Sequence, residues 1–143
     1  MLTHRRAAAG FTLIEIMVVV FILGLLVTLV APRIVGRTDD ARRVKAAADI
    51  KGIEEALHLY RLDNGFYPTT DQGLQALVTK PETGNVPRRW NADGYLETAP
   101  IDPWGNPYAF LCDGNTYTLK SYGADGAEGG EGKYADIDSH TVL

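Results

Sequence analysis

"AAAGFTLIEIMVVVFILGLLVTLVAPR", residues 7–33, decides how the rest of the chain is read. From Phe11 to Ala31 it carries one charge, Glu15, and from Ile16 to Ala31 it carries none. As a helix the stretch from Phe11 to Ala31 measures roughly 31 Å, about one bilayer core. A carboxylate inside such a segment costs a few kcal/mol even on the lenient insertion scale, so Glu15 needs a reason to be there. Arg5 and Arg6 lead the run as in a secretory signal. Against ordinary secretion, the apolar part outlasts a usual signal core, and "TLVAPR" offers a poor small-residue cleavage site followed by proline. Charge leaves the orientation open. Arg33, Arg37, Arg42, Arg43 and Lys45 follow the run, but the positive-inside rule weakens when a long domain comes next.

The remainder allows one modest domain. A formal charge of −4 and a pI near 5.3 give no reason to expect nucleic-acid binding. Cys112 is the only cysteine, so no disulfide closes within the chain. Pro32, lacking an N–H, predicts a kink or local melting of the helix. Beyond it Ala46, Ile50, Ile53, Leu57 and Tyr60 recur at helical spacing and form an apolar stripe that needs a partner surface, most simply a sheet. The helix should stop at "DNGFYP", residues 63–68. A short helix is expected over Gln72–Val78, capped by Thr70 or Asp71, with Leu74, Leu77 and Val78 inward. Residues 85–100 read as loop. Strands are expected at Tyr108–Cys112 and Thr116–Tyr122, joined by a turn at "DGN". The last stretch, "ADGAEGGEGKYADIDSHTVL", is glycine-rich and acidic, which fits either a solvated tail or a cation site.

The stretch "RRAAAGFTLIEIMVVVFILGLL", residues 5–26, resembles the class III signal of type IV pilins and pseudopilins. That resemblance implies cleavage between Gly10 and Phe11 by a prepilin peptidase, which then N-methylates Phe11. Glu15 becomes the fifth residue of the cleaved chain. One helical turn from the new α-amine, its carboxylate can neutralise that amine or the amine of a neighbouring subunit. The resemblance makes this an assembly role; spacing shows only that the pairing is feasible.

A narrower resemblance rests on "NGFYPTTDQGLQALV", "GYLETAPIDPWGNPYAF" and "SYGADGAEGGEGKYADI". These look like the major pseudopilin of type II secretion systems. The implied fold is α+β and type IV pilin-like: a long N-terminal helix, packed by its second half on a small antiparallel sheet, with a C-terminal calcium loop. The chain then divides into a leader (1–10), a transmembrane and filament-core helix (11–31), its continuation into the head (32–62) and a periplasmic head (63–143). The implied role is a structural subunit, single-pass in the bacterial inner membrane, that polymerises in the periplasm to drive export of folded proteins. Implied partners are further copies of itself, minor pseudopilins, the prepilin peptidase, the inner-membrane assembly platform, and membrane lipid before assembly. A type IV pilin of an adhesion or motility fibre, or a minor pseudopilin, is the alternative; pilins usually end in a disulfide-bounded segment that this chain cannot form.

The same resemblance implies a bound Ca²⁺. Carboxylates and backbone carbonyls are the hard oxygen donors calcium uses. By motif position Asp125, Asp136 and the backbone carbonyl of Tyr122 are the ligands, with Glu131, Asp138 and Ser139 as candidates to complete the shell. After "ADI" the chain departs from the family pattern, reading "DSHTVL". Calcium would supply the staple that a small exported domain without a disulfide needs. An enzyme is not expected. His4, His58 and His140 are far apart, Cys112 has no histidine near it in sequence, and the glycine-rich tail lacks the lysine and following helix of a phosphate loop.

Overall fold

A computed structural model describes residues 10–140, with the side chains of residues 30–37 excepted. The expected leader therefore lies outside the described residues except for Gly10. Helix α1 spans Leu13–Asn64, followed by strands β1 (Ala109–Cys112), β2 (Tyr117–Ser121) and β3 (Ile137–Asp138). Backbone contacts divide the chain into two compact units, Met1–Arg37 and Thr38–Leu143.

The first unit is the apolar part of α1. From Leu13 to Leu29 every described side chain is exposed, including Leu13 at 82% and Phe21 at 74%. Among the described residues no helix is long and apolar enough to cross a membrane. The described side chains of the run stop at Leu29, a rise of about 25 Å from Leu13. The helix is unbroken through Gly24, Pro32 and Gly36. The expected melting at Pro32 does not occur, because an interior proline removes a single hydrogen bond from a long ladder.

The second unit is an α+β head. Its three strands form one antiparallel sheet in the order β1-β2-β3, with Phe110 opposite Leu119 and Ser121 opposite Ile137. The apolar stripe of α1 meets this sheet's side chains in one core. Ala46, Ile50, Leu57 and Tyr60 are fully buried and Ile53 nearly so, together with Tyr108, Phe110, Leu119 and Ile137. Each large side chain so buried contributes about 1.5–3 kcal/mol relative to exposure. Two tyrosines add polar ties from sheet to helix: Tyr108 donates to Asp49 at 3.2 Å and Tyr117 to Glu54 at 3.3 Å. Burial first, then the facing carboxylate, holds both phenols above the ordinary tyrosine value. Gly65 ends the helix in the left-handed conformation, donating its N–H to Arg61 at 2.7 Å.

The head differs from the sequence-based expectation in two elements. The expected helix over Gln72–Val78 is a single 3₁₀ turn, Leu74–Leu77. Neither Thr70 nor Asp71 caps it: Gly73 precedes it with no side-chain cap, and the turn before that is closed by Thr69. Thr69 and Gln72 bond reciprocally, with Gln72 N–H reaching Thr69 Oγ1 at 3.3 Å and Thr69 N–H reaching Gln72 Oε1 at 3.0 Å. Thr70 is used elsewhere, pairing through its hydroxyl with both backbone groups of Cys112. The second difference is β3, which adds two residues to a segment read as loop. Residues 85–100 are irregular, as expected, but not loose. Tyr95 and Leu96 donate to the Leu77 carbonyl, Trp90 Nε1 donates to Ala76, and Arg89 N–H donates to Asn64. Gly94 permits this approach; a Cβ there would crowd three carbonyls at 3.3–3.4 Å.

One buried group works against the core. Tyr60 is fully buried, and among the described residues its hydroxyl has no hydrogen-bond partner. Burial, with Tyr95 beside it, pushes its phenol up to about 12. An unsatisfied buried hydroxyl costs about 1–3 kcal/mol. Tyr60→Phe should therefore raise the melting temperature, by several degrees for a stabilisation of about 1 kcal/mol. A melting temperature several degrees lower in the variant would show that the hydroxyl is bonded.

Candidate assembly site and C-terminal loop

The N-terminal site is built at the first turn of α1. Gly10 and Phe11 precede the helix and are exposed, Phe11 at 79%. Thr12 occupies the capping position. Its hydroxyl accepts the Glu15 N–H at 3.3 Å, and its own N–H donates to Glu15 Oε2 at 3.4 Å. This reciprocal arrangement is a capping box, and "TLIE" is its sequence signature. Sequence reasoning assigned Glu15 to an amine and overlooked Thr12, although the signal was present. With residue 10 still attached, Phe11 has no free α-amine. The carboxylate then lies against backbone donors at the positive end of the helix dipole, which lowers its cost in an apolar setting.

The second site is the segment from Tyr122 to Asp136, whose ends approach each other. A Cβ on Gly123 would lie a tight 3.3 Å from the carbonyl oxygen of Ala135, and the residue's φ of 70° favours glycine there. The entry is tied down by Ser121, whose Oγ accepts the Gly123 N–H at 3.1 Å and donates to Asp102 Oδ2 at 2.7 Å. At the exit the Arg43 guanidinium donates to the carbonyls of Ala135 at 2.7 Å and Lys133 at 3.4 Å. Residues 125–134 between these ends are exposed.

The expected cation ligands are distributed along this loop. Asp125 is exposed and accepts the Ala127 N–H at 3.3 Å. Asp136 is half-buried and accepts the Gly129 N–H at 3.1 Å, with Lys120 Nζ at 3.9 Å from its other oxygen. Tyr122 is half-buried, next to Gly123. Glu131 is exposed and precedes a 3₁₀ turn over Gly132–Tyr134. Asp138 lies in β3 and accepts the His140 N–H at 2.8 Å, while the Ser139 N–H bonds Leu119 at 3.0 Å. Among the described residues no three His, Cys, Asp or Glu side chains converge. The donors suit calcium in kind, being carboxylate and main-chain oxygens. The carbonyl of Tyr134 also presses against Gly130, where a Cβ would collide with it. A calcium shell on Asp125 and Asp136 would therefore need main-chain oxygens beside them.

Two cations already serve the loop, and sequence reasoning found neither. Arg43 is one. Lys120 is the other, bonded to Glu128 at 3.0 Å, and that bond, with Glu128, Asp136 and Asp138 nearby, raises its ammonium above the ordinary lysine value. His58 is exposed and bonded to the Tyr67 hydroxyl at 3.2 Å. Cys112 is half-buried in β1, its sulfur accepting the Gly114 N–H.

Comparison with known proteins places this geometry. The family model described as type II secretion system protein G matches residues 33–140, and the prokaryotic N-terminal methylation motif matches residues 5–31. The chain is 55% identical to the type II secretion system core protein G of Pseudomonas aeruginosa, over 94% of this chain and 96% of that one. It is 50% identical to the core protein G of Vibrio cholerae, over 96% and 94%. The crystal structure of the major pseudopilin from the type 2 secretion system of enterohaemorrhagic Escherichia coli superposes with a TM-score of 0.68 at 42% identity, covering 76% of this chain and 90% of that one. With an exposed apolar helix capped by an acid, and a three-stranded head ending in a tied glycine-rich loop, the chain belongs to the type II secretion system protein G family.

Proposed function

We propose that the chain is a structural subunit of the type II secretion pseudopilus. It is made as an inner-membrane precursor, cut between Gly10 and Phe11 by a prepilin peptidase, and methylated on Phe11. Phe11–Ala31 lies in lipid before assembly, with the head in the periplasm, and becomes the filament core when copies of the chain polymerise. Minor pseudopilins and the inner-membrane assembly platform are its further partners. The observation that carries this reading is the exposed, uncharged face of α1 beginning one residue after a Thr12–Glu15 capping box. Such a surface has no partner among the described residues, and its lone acid is held where a new amine would appear after cleavage.

Calcium belongs to the same reading. Asp125, Asp136 and the Tyr122 carbonyl hold Ca²⁺, with Glu131, Asp138 and Ser139 as further candidates. The oxygen-only donor set, and the approach of Gly123 to Ala135 that closes the loop, support this. When bound, the ion screens the loop's excess of carboxylates and cross-links its two ends; the chain's own residues supply the scaffold.

Deletion of the gene, followed by assays of surface fibres and of exoprotein release, tests the function. The expected result is that exoproteins accumulate in the periplasm while surface fibres are unchanged. Normal release with loss of surface fibres would assign the chain to an adhesion or motility pilus instead.

A further inference from the structure

Asp102 and Ser121 are the two buried polar residues of the described head, at 4% and 0% exposure. Such a carboxylate is tolerated only if its oxygens are filled. Asp102 Oδ1 accepts the N–H groups of Trp104 at 3.1 Å and Asn106 at 2.8 Å, and Oδ2 accepts the Ser121 hydroxyl at 2.7 Å. A hydroxyl has one proton to donate. Because Ser121 gives its proton to Asp102, its oxygen is left to accept, and it takes the Gly123 N–H at 3.1 Å. The direction of this relay is set at the acid.

A second arm starts from the same residue. Asp102 N–H donates to the Asn106 carbonyl at 2.8 Å, so Asn106 is held through both of its backbone groups. Its carboxamide packs against Gly126, where a Cβ would lie 3.3 Å from Asn106 Nδ2. Gly123 and Gly126 both have left-handed backbone, with φ of 70° and 66°. Asp125 stands between them.

We propose that Asp102 is the positioning residue of the C-terminal loop, fixing through Ser121 and Asn106 the backbone on both sides of Asp125. The consequence for cation affinity rests on the calcium reading above; the consequence for loop order does not. Asp102→Asn separates the role from general folding. The asparagine keeps an oxygen for the Trp104 and Asn106 amides but turns an NH₂ toward Ser121. Ser121 Oγ must then accept from that NH₂ as well as from the Gly123 N–H, and its own proton loses the acceptor that fixed the hydroxyl, which loosens the tie to Gly123.

The test uses the full-length chain in detergent, with amide hydrogen exchange in chelator and a calcium titration of the melting temperature. Exchange across residues 122–129 should speed up about tenfold in Asp102→Asn, as loss of one net hydrogen bond allows. The calcium midpoint should rise by about tenfold or more, as for other residues that orient a ligand. Ser121→Ala, which leaves the two amide bonds to Asp102 intact, should move both readouts the same way and decides the matter if Asp102→Asn does not fold. A merely structural role would lower melting equally with and without calcium and leave the midpoint alone. Wild-type exchange rates in both variants would overturn the proposal. A wild-type chain indifferent to calcium would instead remove the cation reading, and the exchange measurement alone would then judge Asp102.

Discussion

A Glu15→Ala chain is expected to enter the membrane as well as the parent and to form no filament. Removing the carboxylate makes the apolar run easier to insert, since a buried acid costs a few kcal/mol there. Assembly suffers for the opposite reason. In the proposed assembly, cleavage frees the Phe11 amine, each subunit brings that cation to the packing surface, and the neutralising partner is Glu15. An unpaired buried charge costs about 3–5 kcal/mol. That penalty recurs at every subunit, so the polymer, not the monomer, registers it. Membrane fractionation should show normal levels of the variant, and electron microscopy with intersubunit cross-linking should show no fibres. Fibres of ordinary length in the variant would mean that the acid serves only as the helix cap seen with Thr12.

On the proposed calcium reading, removal of the ion is the second large expected effect. The head has no disulfide, and the loop over residues 123–135 is held by Arg43, Lys120 and the Ser121 relay. A ligand present at a hundred times its dissociation constant stabilises by about 2.7 kcal/mol. For a head of this size, that corresponds to a fall on the order of 10 °C on adding chelator. Asp125→Ala should melt like the chelated parent and no longer respond to the ion. An unchanged melt in chelator would remove the metal from the account and leave the loop to its protein contacts.

The long helix, its buried stripe and the β1–β2 hairpin were legible in the sequence because each rests on local periodicity or turn chemistry. Ile50, Leu57 and Tyr60 announce their burial by spacing alone. What escaped the sequence depends on pairs distant along the chain. β3 exists because Ile137 and Asp138 pair with Ser121 and Lys120, and two residues carry too little pattern to betray that. Arg43 reaches Ala135 across ninety-two positions, and Asp102 reaches Ser121 across nineteen. Thr12 is different: the capping box was written in four consecutive residues, and the apolar run overshadowed it. The Gln72–Val78 helix failed because Gly73 at φ 58° and the Thr69–Gln72 box leave room for one turn only.

The central claim is that the working helix begins at a free, methylated amine on Phe11. The intact mass of protein extracted from membranes tests it most directly. The account predicts loss of residues 1–10 and gain of one methyl group on the remaining chain. A mass retaining Met1–Gly10, or one beginning beyond Ala31, would contradict it.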